Sequence, residues 1–214
     1  MKKAFKKDNG VVNFINEIRS LQRIRRSSYQ TFNVDMGSIA DHSYNVTMIA
    51  LLLAEEVGAN LQEVSLMALI HDIAESRVGD ANFVHKRYQT KAETDAFTDI
   101  IHPLPPTIRS IFLTHYHTFL AQKSLAAKVV KDADILDQLF QENILVEQGY
   151  TEAKKWLKYS KKQLTLPQSR RLAANAEAVA STEWWTQLAG MPKLAASKRR
   201  LLRHAVMQFA DPSK

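Results

Sequence analysis

Apolar residues recur at intervals of three and four along most of this chain, the spacing of one face of an α-helix, and the pattern predicts an all-α protein with few or no strands. Val12, Ile15, Ile18, Leu21 and Ile24 predict a first helix over 11–25, followed by a polar connection over 26–39. Asp41 or Ser38 can cap the next helix, whose inward stripe is His42, Val46, Ile49 and Leu53 and which ends near Gly58. The pattern repeats over 61–75 through Val64, Ala68, His71 and Glu75, with Asp72 one step round from His71 and Gly79 as a stop signal. Residues 81–99 read as a long, polar, partly helical segment. His102-Pro103-Leu104-Pro105-Pro106 breaks the pattern, and helices are expected over 107–121 and 124–147, ending at Gly149. In the second of these, Val130, Asp134 and Asp137 share a face while Asp132 projects elsewhere. The remainder predicts three shorter helices broken near Pro167, Gly190 and Pro192. Six glycines and six prolines in 214 residues are too few to interrupt a helical chain more often than this.

A length of 214 residues with 45% hydrophobic content supports one packed core. The expected organisation is a single helical bundle over 1–150 as catalytic core, with a C-terminal helical extension over 151–214 packed on it. Lys2, Lys3, Lys6 and Lys7 precede an apolar stretch too short and interrupted for a signal-peptide core, and no stretch approaches a membrane-spanning length of about 20 residues. The expectation is a soluble protein without membrane attachment. There is no cysteine, which excludes disulfides, thiolate nucleophiles and Cys-based zinc sites, leaves His and carboxylate as metal ligands, and fits a cytoplasmic location. A net charge of +7, with basic clusters at the N-terminus, over 154–162 and over 198–203, favours an anionic partner, of which phosphate is the commonest. Any one cluster reads more simply as a solvated helix face.

An apolar helix face is a costly place for an ionisable group, because a buried charge loses its hydration. Here His42 points inward from one predicted helix, His71 and Asp72 from the next, and Asp134 from a later one. A divalent cation at the helix crossing satisfies all four, and two imidazoles with two carboxylates suit manganese, cobalt, iron, magnesium, zinc or nickel completed by water. Each member alone reads as an ordinary core residue or a chance dipeptide. The order His, then His-Asp, then Asp on successive helices is far more specific.

That order resembles the H…HD…D signature of the HD-domain superfamily, matched by His42 in Asp41-His42-Ser43, by His71-Asp72, and by Asp134 within residues 130–137. From about Arg19 to Tyr150 the chain is most similar to the compact 5′-nucleotidase-like HD hydrolases. His71-Asp72-Ile73-Ala74-Glu75 followed by Val78-Gly79-Asp80 looks like that group's HD-x-x-E and G-D elements. The resemblance implies a metal-dependent phosphohydrolase releasing phosphate from nucleoside 5′-monophosphates or similar small phosphomonoesters, with one divalent ion, and it implies a homodimer. Asp72 and Glu75 are then catalytic, Glu75 orienting water or protonating the departing alkoxide one turn after His71. It also implies that Asp80 contacts the sugar and that an arginine upstream of His42 holds the phosphate. Arg26 is the choice, since Arg26-Ser27-Ser28-Tyr29 stands where relatives carry Arg-x-Gly-Trp, with Ser28 and Tyr29 as departures; Arg23 and Arg25 compete for the role. Lys86 and Arg87 can add phosphate contacts or form a solvated pair.

Two further groups stay open at this level. Asp137, one turn beyond Asp134, can support a ligand imidazole or pair with Lys131. His115 and His117 could belong to a second metal position, although i and i+2 spacing sends them to different sides of a helix. A phosphodiesterase or polyphosphate hydrolase is the alternative enzyme. A nucleic-acid-binding protein with a vestigial metal site is the alternative outside enzymes, resting on Lys198, Arg199, Arg200 and Arg203 near Trp184 and Trp185, without any recognisable nucleic-acid module. The apolar segment around Trp184, Trp185 and Leu188 is expected either to form the dimer interface or to cover the core.

Overall fold

The computed structural model describes residues 2–90 and 92–187, with side chains from Asn9 onward. Among these residues the regular structure is helical throughout, with no strand: α1 (Lys2–Ser20), α2 (Ile39–Val57), α3 (Leu61–Ile70), α4 (Glu75–Val78), α5 (Phe83–Tyr88), α6 (Glu93–Ile101), α7 (Pro106–Ala121), α8 (Leu125–Glu147), α9 (Ala153–Gln163), α10 (Pro167–Ala178) and α11 (Glu183–Thr186). Short 3-10 turns at Leu21–Arg23 and Ser27–Phe32 link α1 to α2. A single antiparallel bridge between Arg25 and Ser38 closes that linker into a loop.

The long helix α8 is the axis of the molecule, with α2, α3, α7, α9 and α10 packed around it. Its apolar positions interlock with those of α2 and α3 through Val46, Leu53, Val64, Met67, Val130, Leu136 and Leu139, all essentially inaccessible to solvent. Leu157 and Leu164 from the α9 region and Ala173 and Ala176 from α10 complete the same core. Each fully buried aliphatic side chain contributes about 1.5–3 kcal/mol. A second core joins the end of α1 and the turn after it, the end of α3, α6 and α7 through Leu21, Ile70, Phe97, Ile100, Ile101 and Tyr116. There Phe97 stacks on Tyr116 with ring centroids 3.8 Å apart.

Helix starts follow the capping chemistry of the sequence. Ser38 and Asp41 act together rather than as alternatives: Ser38 is the N-cap and Asp41 closes the capping box on it, fixing the first turn that carries His42. Asn60, Asn82 and Ser124 cap α3, α5 and α8 in the same way.

Three expectations are corrected. The first helix runs back through Gly10 to Lys2, and its inward residues are Val11, Phe14 and Ile18. Val12 and Ile15 face solvent, because the helix is rotated by about one residue so that Gly10 can sit against Pro103, where an added Cβ would come within 2.8 Å of the proline ring. The helix expected over 61–75 breaks at residues 71–74, where hydrogen bonds change to the tighter i to i+3 pattern, as in Ile73 N–H to Ile70 O and Glu75 N–H to Asp72 O. The connection over 26–39 is not simply polar: Tyr29 is fully buried there beside Leu145 and Ala153.

Asp132, which projects away from the Asp134 face, is completely buried and accepts hydrogen bonds from the backbone N–H groups of Thr165 and Leu166 and from the Thr165 hydroxyl, at 2.8–3.1 Å. It ties the start of α10 to α8. Trp184 and Trp185 are exposed and do not cover the core. Gly190, Pro192, Leu188 and the basic residues 198–203 lie outside the described residues.

Candidate metal centre and phosphate cleft

The buried groups of α2, α3 and α8 meet at the floor of one cleft. His42, in the first turn of α2, is fully buried, and its Nδ1 lies 2.7 Å from Asp137 Oδ2 on α8. His71, at the end of α3, donates from Nδ1 to the Ala68 carbonyl at 2.7 Å in the tautomer that accounts for that contact. Both rings therefore turn Nε2 toward the carboxylates of Asp72 and Asp134. Asp72 Oδ2 stands 3.2 Å from the His71 Nε2 and 3.5 Å from the His42 Nε2, and Asp134 Oδ1 stands 3.3 Å from the His42 Nε2. His42, His71 and Asp134 present ligand atoms within 4.8 Å of one another, and Asp72 lies among them. The tightened turn over 71–74 places Asp72 beside His71 and brings Glu75, buried at the start of α4, to the same cleft.

Both Nε2 atoms are buried without a hydrogen-bond partner. Their neighbours are carboxylate oxygens, and the electrostatics follow. Burial and the Arg26 charge pull the His42 pKa down, but Asp134 and Asp137 outweigh them and hold it up at about 9. Burial pushes Asp72 up, and the two imidazoles outweigh it, holding the carboxyl well below the usual range. For Asp134 the opposing charges are Lys131 and then the histidines, with the same result. Ionised carboxylates around imidazoles with unpaired Nε2 atoms are the donor set a divalent cation requires, so the residues present fit such an ion.

Arg26 lies over this floor, its guanidinium 3.9 Å from Asp72 and 3.8 Å from Asp80, with a buried Nε that has no partner. Asp80 also accepts the Ser27 backbone N–H at 2.5 Å, and Asn82 donates to the Ser27 carbonyl at 3.3 Å. Gly79, at φ 71°, turns the chain from α4 into Asp80. Asp80 thus fixes the segment that carries the arginine. Arg23 is exposed, Arg25 pairs at the surface with Asp35, and neither lines the cleft. Lys86 stands at the rim, whereas Arg87 is exposed and outside the lining. His115 bonds to the Ile111 carbonyl, His117 is exposed, and it is Tyr116 between them that faces the cleft.

Sequence reasoning missed Lys131 as a member of the site. Its Nζ is 2.8 Å from Asp134 and attraction to that carboxylate raises its pKa. The signal was available: Lys131 is three residues before Asp134, on the same helix face. Asp137 takes the supporting contact to His42, not one to Lys131.

The cleft encloses about 660 Å3, within the range of small-molecule sites. One end is the His and Asp floor with Arg26 and Lys131; the other reaches Gln138, Glu142, Phe83, Trp156 and Tyr159. Among the described residues, no helix is long and apolar enough to cross a membrane.

The HD-domain family model matches residues 18–179. The chain is similar to 5′-deoxynucleotidase HDDC2 of Danio rerio, 29% identical over 137 residues that cover 62% of this chain and 68% of that protein. It is 27% identical to 5′-deoxynucleotidase HDDC2 of Homo sapiens over 135 residues, covering 61% and 66% of the two chains. Among solved structures it shares its fold with a protein of Magnetospirillum magnetotacticum described as a predicted metal-dependent phosphohydrolase, at a TM-score of 0.63 and 24% identity over 81% of this chain and 93% of that one. An HD-domain phosphohydrolase of Listeria innocua superposes with a TM-score of 0.55 at 19% identity, covering 94% and 99%.

Proposed function

Because the chain belongs to the HD-domain family, we propose that it is a metal-dependent phosphohydrolase that releases phosphate from nucleoside 5′-monophosphates, with one divalent ion held by His42, His71, Asp72 and Asp134. The observation that carries this reading is the pair of buried, unpaired Nε2 atoms facing two ionised carboxylates at the floor of a nucleotide-sized cleft. When bound there, a divalent ion supplies a nucleophile at neutral pH and neutralises phosphoryl charge.

The protein's own groups do the rest. Arg26 and Lys131 bind the phosphate oxygens, Arg26 being kept cationic by Asp80 and Asp72 despite its burial. Asp80 holds Arg26 and the Ser27 backbone in place. Glu75 orients the attacking water and returns a proton to the 5′ oxygen of the departing nucleoside. Asp137 fixes the His42 ring through Nδ1, so that Nε2 stays directed at Asp72 and Asp134. Lys86 at the rim adds positive charge for the incoming anion.

Several finer assignments belong to the same proposal. The ion is manganese, cobalt, iron, magnesium, zinc or nickel. Residues 1–150 form the catalytic core and 151–214 the extension, whose α9 lends side chains to the cleft. The cysteine-free chain operates in the cytoplasm. It works as a homodimer, for which Tyr44, Met48 and Leu52 supply an exposed apolar stripe over successive turns of α2. A diester or polyphosphate substrate is less well supported, since the described residues hold one metal-capable cluster and His115 and His117 stand apart from it.

The test is phosphate release by metal-stripped protein resupplied separately with Mn²⁺, Co²⁺, Mg²⁺ and Zn²⁺, across ribo- and deoxyribonucleoside monophosphates, with His71→Ala as control. Metal-dependent release that disappears in the variant is expected. No release from any of them with metal bound would overturn the monoesterase reading.

A further inference from the structure

The phosphate end of the cleft accounts for the charged groups, but not for its far end. Asp134, Gln138 and Glu142 are spaced by four along α8 and share a face, so that Glu142 lies about 12 Å beyond Asp134 along the helix axis. That is close to the length of a nucleoside monophosphate from phosphorus to the far edge of its base. Glu142 is a carboxyl with no solvent exposure at all. One oxygen accepts from Gln138 Nε2 at 2.8 Å and from the Ser160 hydroxyl at 3.0 Å. The other, Oε2, is buried without a partner, and Glu142 is among the residues that line the cleft. A buried acceptor left open is costly.

The surroundings point to a flat, partly apolar ligand. Trp156 and Tyr159 line this end from α9 and Phe83 from α5, with Phe83 and Trp156 meeting edge to face at 6.3 Å. Phe83 and Tyr159 are both about two-thirds exposed, although they border a cleft. Trp156 is braced from behind by Phe32, with ring centroids 4.7 Å apart. Stacking on aromatic side chains is how proteins hold bases of any sequence, and an open carboxylate oxygen beyond them adds a hydrogen-bond requirement.

Resting on the phosphohydrolase reading, we propose that this end of the cleft is a nucleobase subsite, in which the base packs against Phe83 and Trp156 and donates an exocyclic amino N–H to Glu142 Oε2. The substrate class this selects is the amino-bearing bases, adenine, cytosine and guanine. Thymine and uracil offer only a ring N–H flanked by two carbonyls, whose lone pairs oppose the carboxylate. Burial raises the Glu142 pKa to about 7 against the hydrogen bonds from Gln138 and Ser160, as expected of a carboxyl still short of one donor.

The experiment compares wild type with Glu142→Gln and Trp156→Ala in two readouts. The first is steady-state hydrolysis of dAMP, dCMP, dGMP, dTMP and 2-deoxyribose 5-phosphate by the metal-loaded protein. The second is calorimetric binding of unphosphorylated deoxyadenosine and thymidine to metal-free protein. In wild type, kcat/KM for the three amino-bearing nucleotides is expected at least tenfold above that for dTMP and the sugar phosphate, mainly through KM. In Glu142→Gln that spread narrows, and Trp156→Ala raises KM for every nucleotide. Deoxyadenosine binds wild type more tightly than thymidine does; Glu142→Gln loses that difference, and Trp156→Ala weakens the binding of both. Equal kcat/KM for the nucleotides and the sugar phosphate in wild type would overturn the subsite while leaving the phosphohydrolase intact. No hydrolysis of anything, with nucleoside binding still sensitive to both variants, would remove the phosphohydrolase and keep the subsite. No hydrolysis and no selective nucleoside binding would remove both.

Discussion

Two aspartates on α8 stand two residues apart and teach opposite things. Asp132 is buried on the side that faces α10, and every contact it makes is internal: two backbone N–H groups and a hydroxyl of residues 165–166 saturate it. Asp134 is on the side that faces α2 and α3, among charged groups and two imidazoles whose Nε2 atoms have no hydrogen-bond partner. Both are carboxylates on inward sides of α8, Asp132 fully buried and Asp134 half-buried. The difference is what remains unsatisfied once the fold is complete, which is nothing around Asp132 and a set of ligand atoms around Asp134. A saturated buried acid holds the structure together, whereas an unsaturated cluster awaits something from outside the chain.

The sharpest way to break this contrast is at the unsaturated end. His71→Ala and Asp72→Ala should each lose bound metal, measured by elemental analysis, and lower phosphate release at least about a thousandfold, corresponding to the several kcal/mol a divalent ion contributes to a phosphoryl transition state. Metal-free, both should lose less of their denaturant midpoint than Asp132→Ala does, Asp72→Ala the more of the two because the imidazoles hold its carboxyl ionised. A large loss of stability in either would make the cluster a structural one. At the saturated end, Asp132→Ala should behave in the reverse sense. It leaves the Thr165 and Leu166 N–H groups without acceptors and should cost about 3 kcal/mol in urea unfolding, with metal stoichiometry unchanged in the folded fraction.

Asp137 sits between the two cases, since it is saturated by a ligand imidazole. Asp137→Asn is expected to weaken metal affinity 10- to 100-fold in a competition titration and, because Asp137 helps hold the buried His42 in its charged form, to lower the unfolding midpoint of metal-free protein as well. The smallest effect concerns Glu142, saturated at one oxygen only. Its folded pKa of about 7 exceeds the unfolded value near 4.5, so the native state binds more protons between these pH values and stability falls as pH rises through that window. Glu142→Gln should therefore raise stability by about 1–2 kcal/mol at pH 8, less at pH 6 and not at all at pH 4, read from urea midpoints across pH. A pH-independent difference would show that the carboxyl is already fully paired.

Much of the site was legible because it is periodic. His42, His71 and Asp134 each occupy a position that hydrophobic neighbours mark as inward, and polar groups there stand out against the pattern. Lys131 carried the same mark, three residues from Asp134, but a lysine on a basic chain reads as solvated until its partner is known. Glu142 was passed over for a related reason, since periodicity assigns it to the Asp134 face without saying that α9 would bury it. The supporting role of Asp137 was one of two open choices, and only the position of His42 across the helix interface decided between them.

By itself the sequence determined that this chain is helical, where α2, α7 and α8 begin and end, and which ionisable side chains face the interior, because these depend on interactions within a few residues. The tertiary structure alone decided the rotation of α1, set by the close approach of Gly10 to Pro103, and the break at residues 71–74 that brings Asp72 and Glu75 to one cleft. It alone decided which buried acids are saturated, because that depends on groups such as Thr165 and Ser160, which are remote in sequence and meet α8 only when the helices pack.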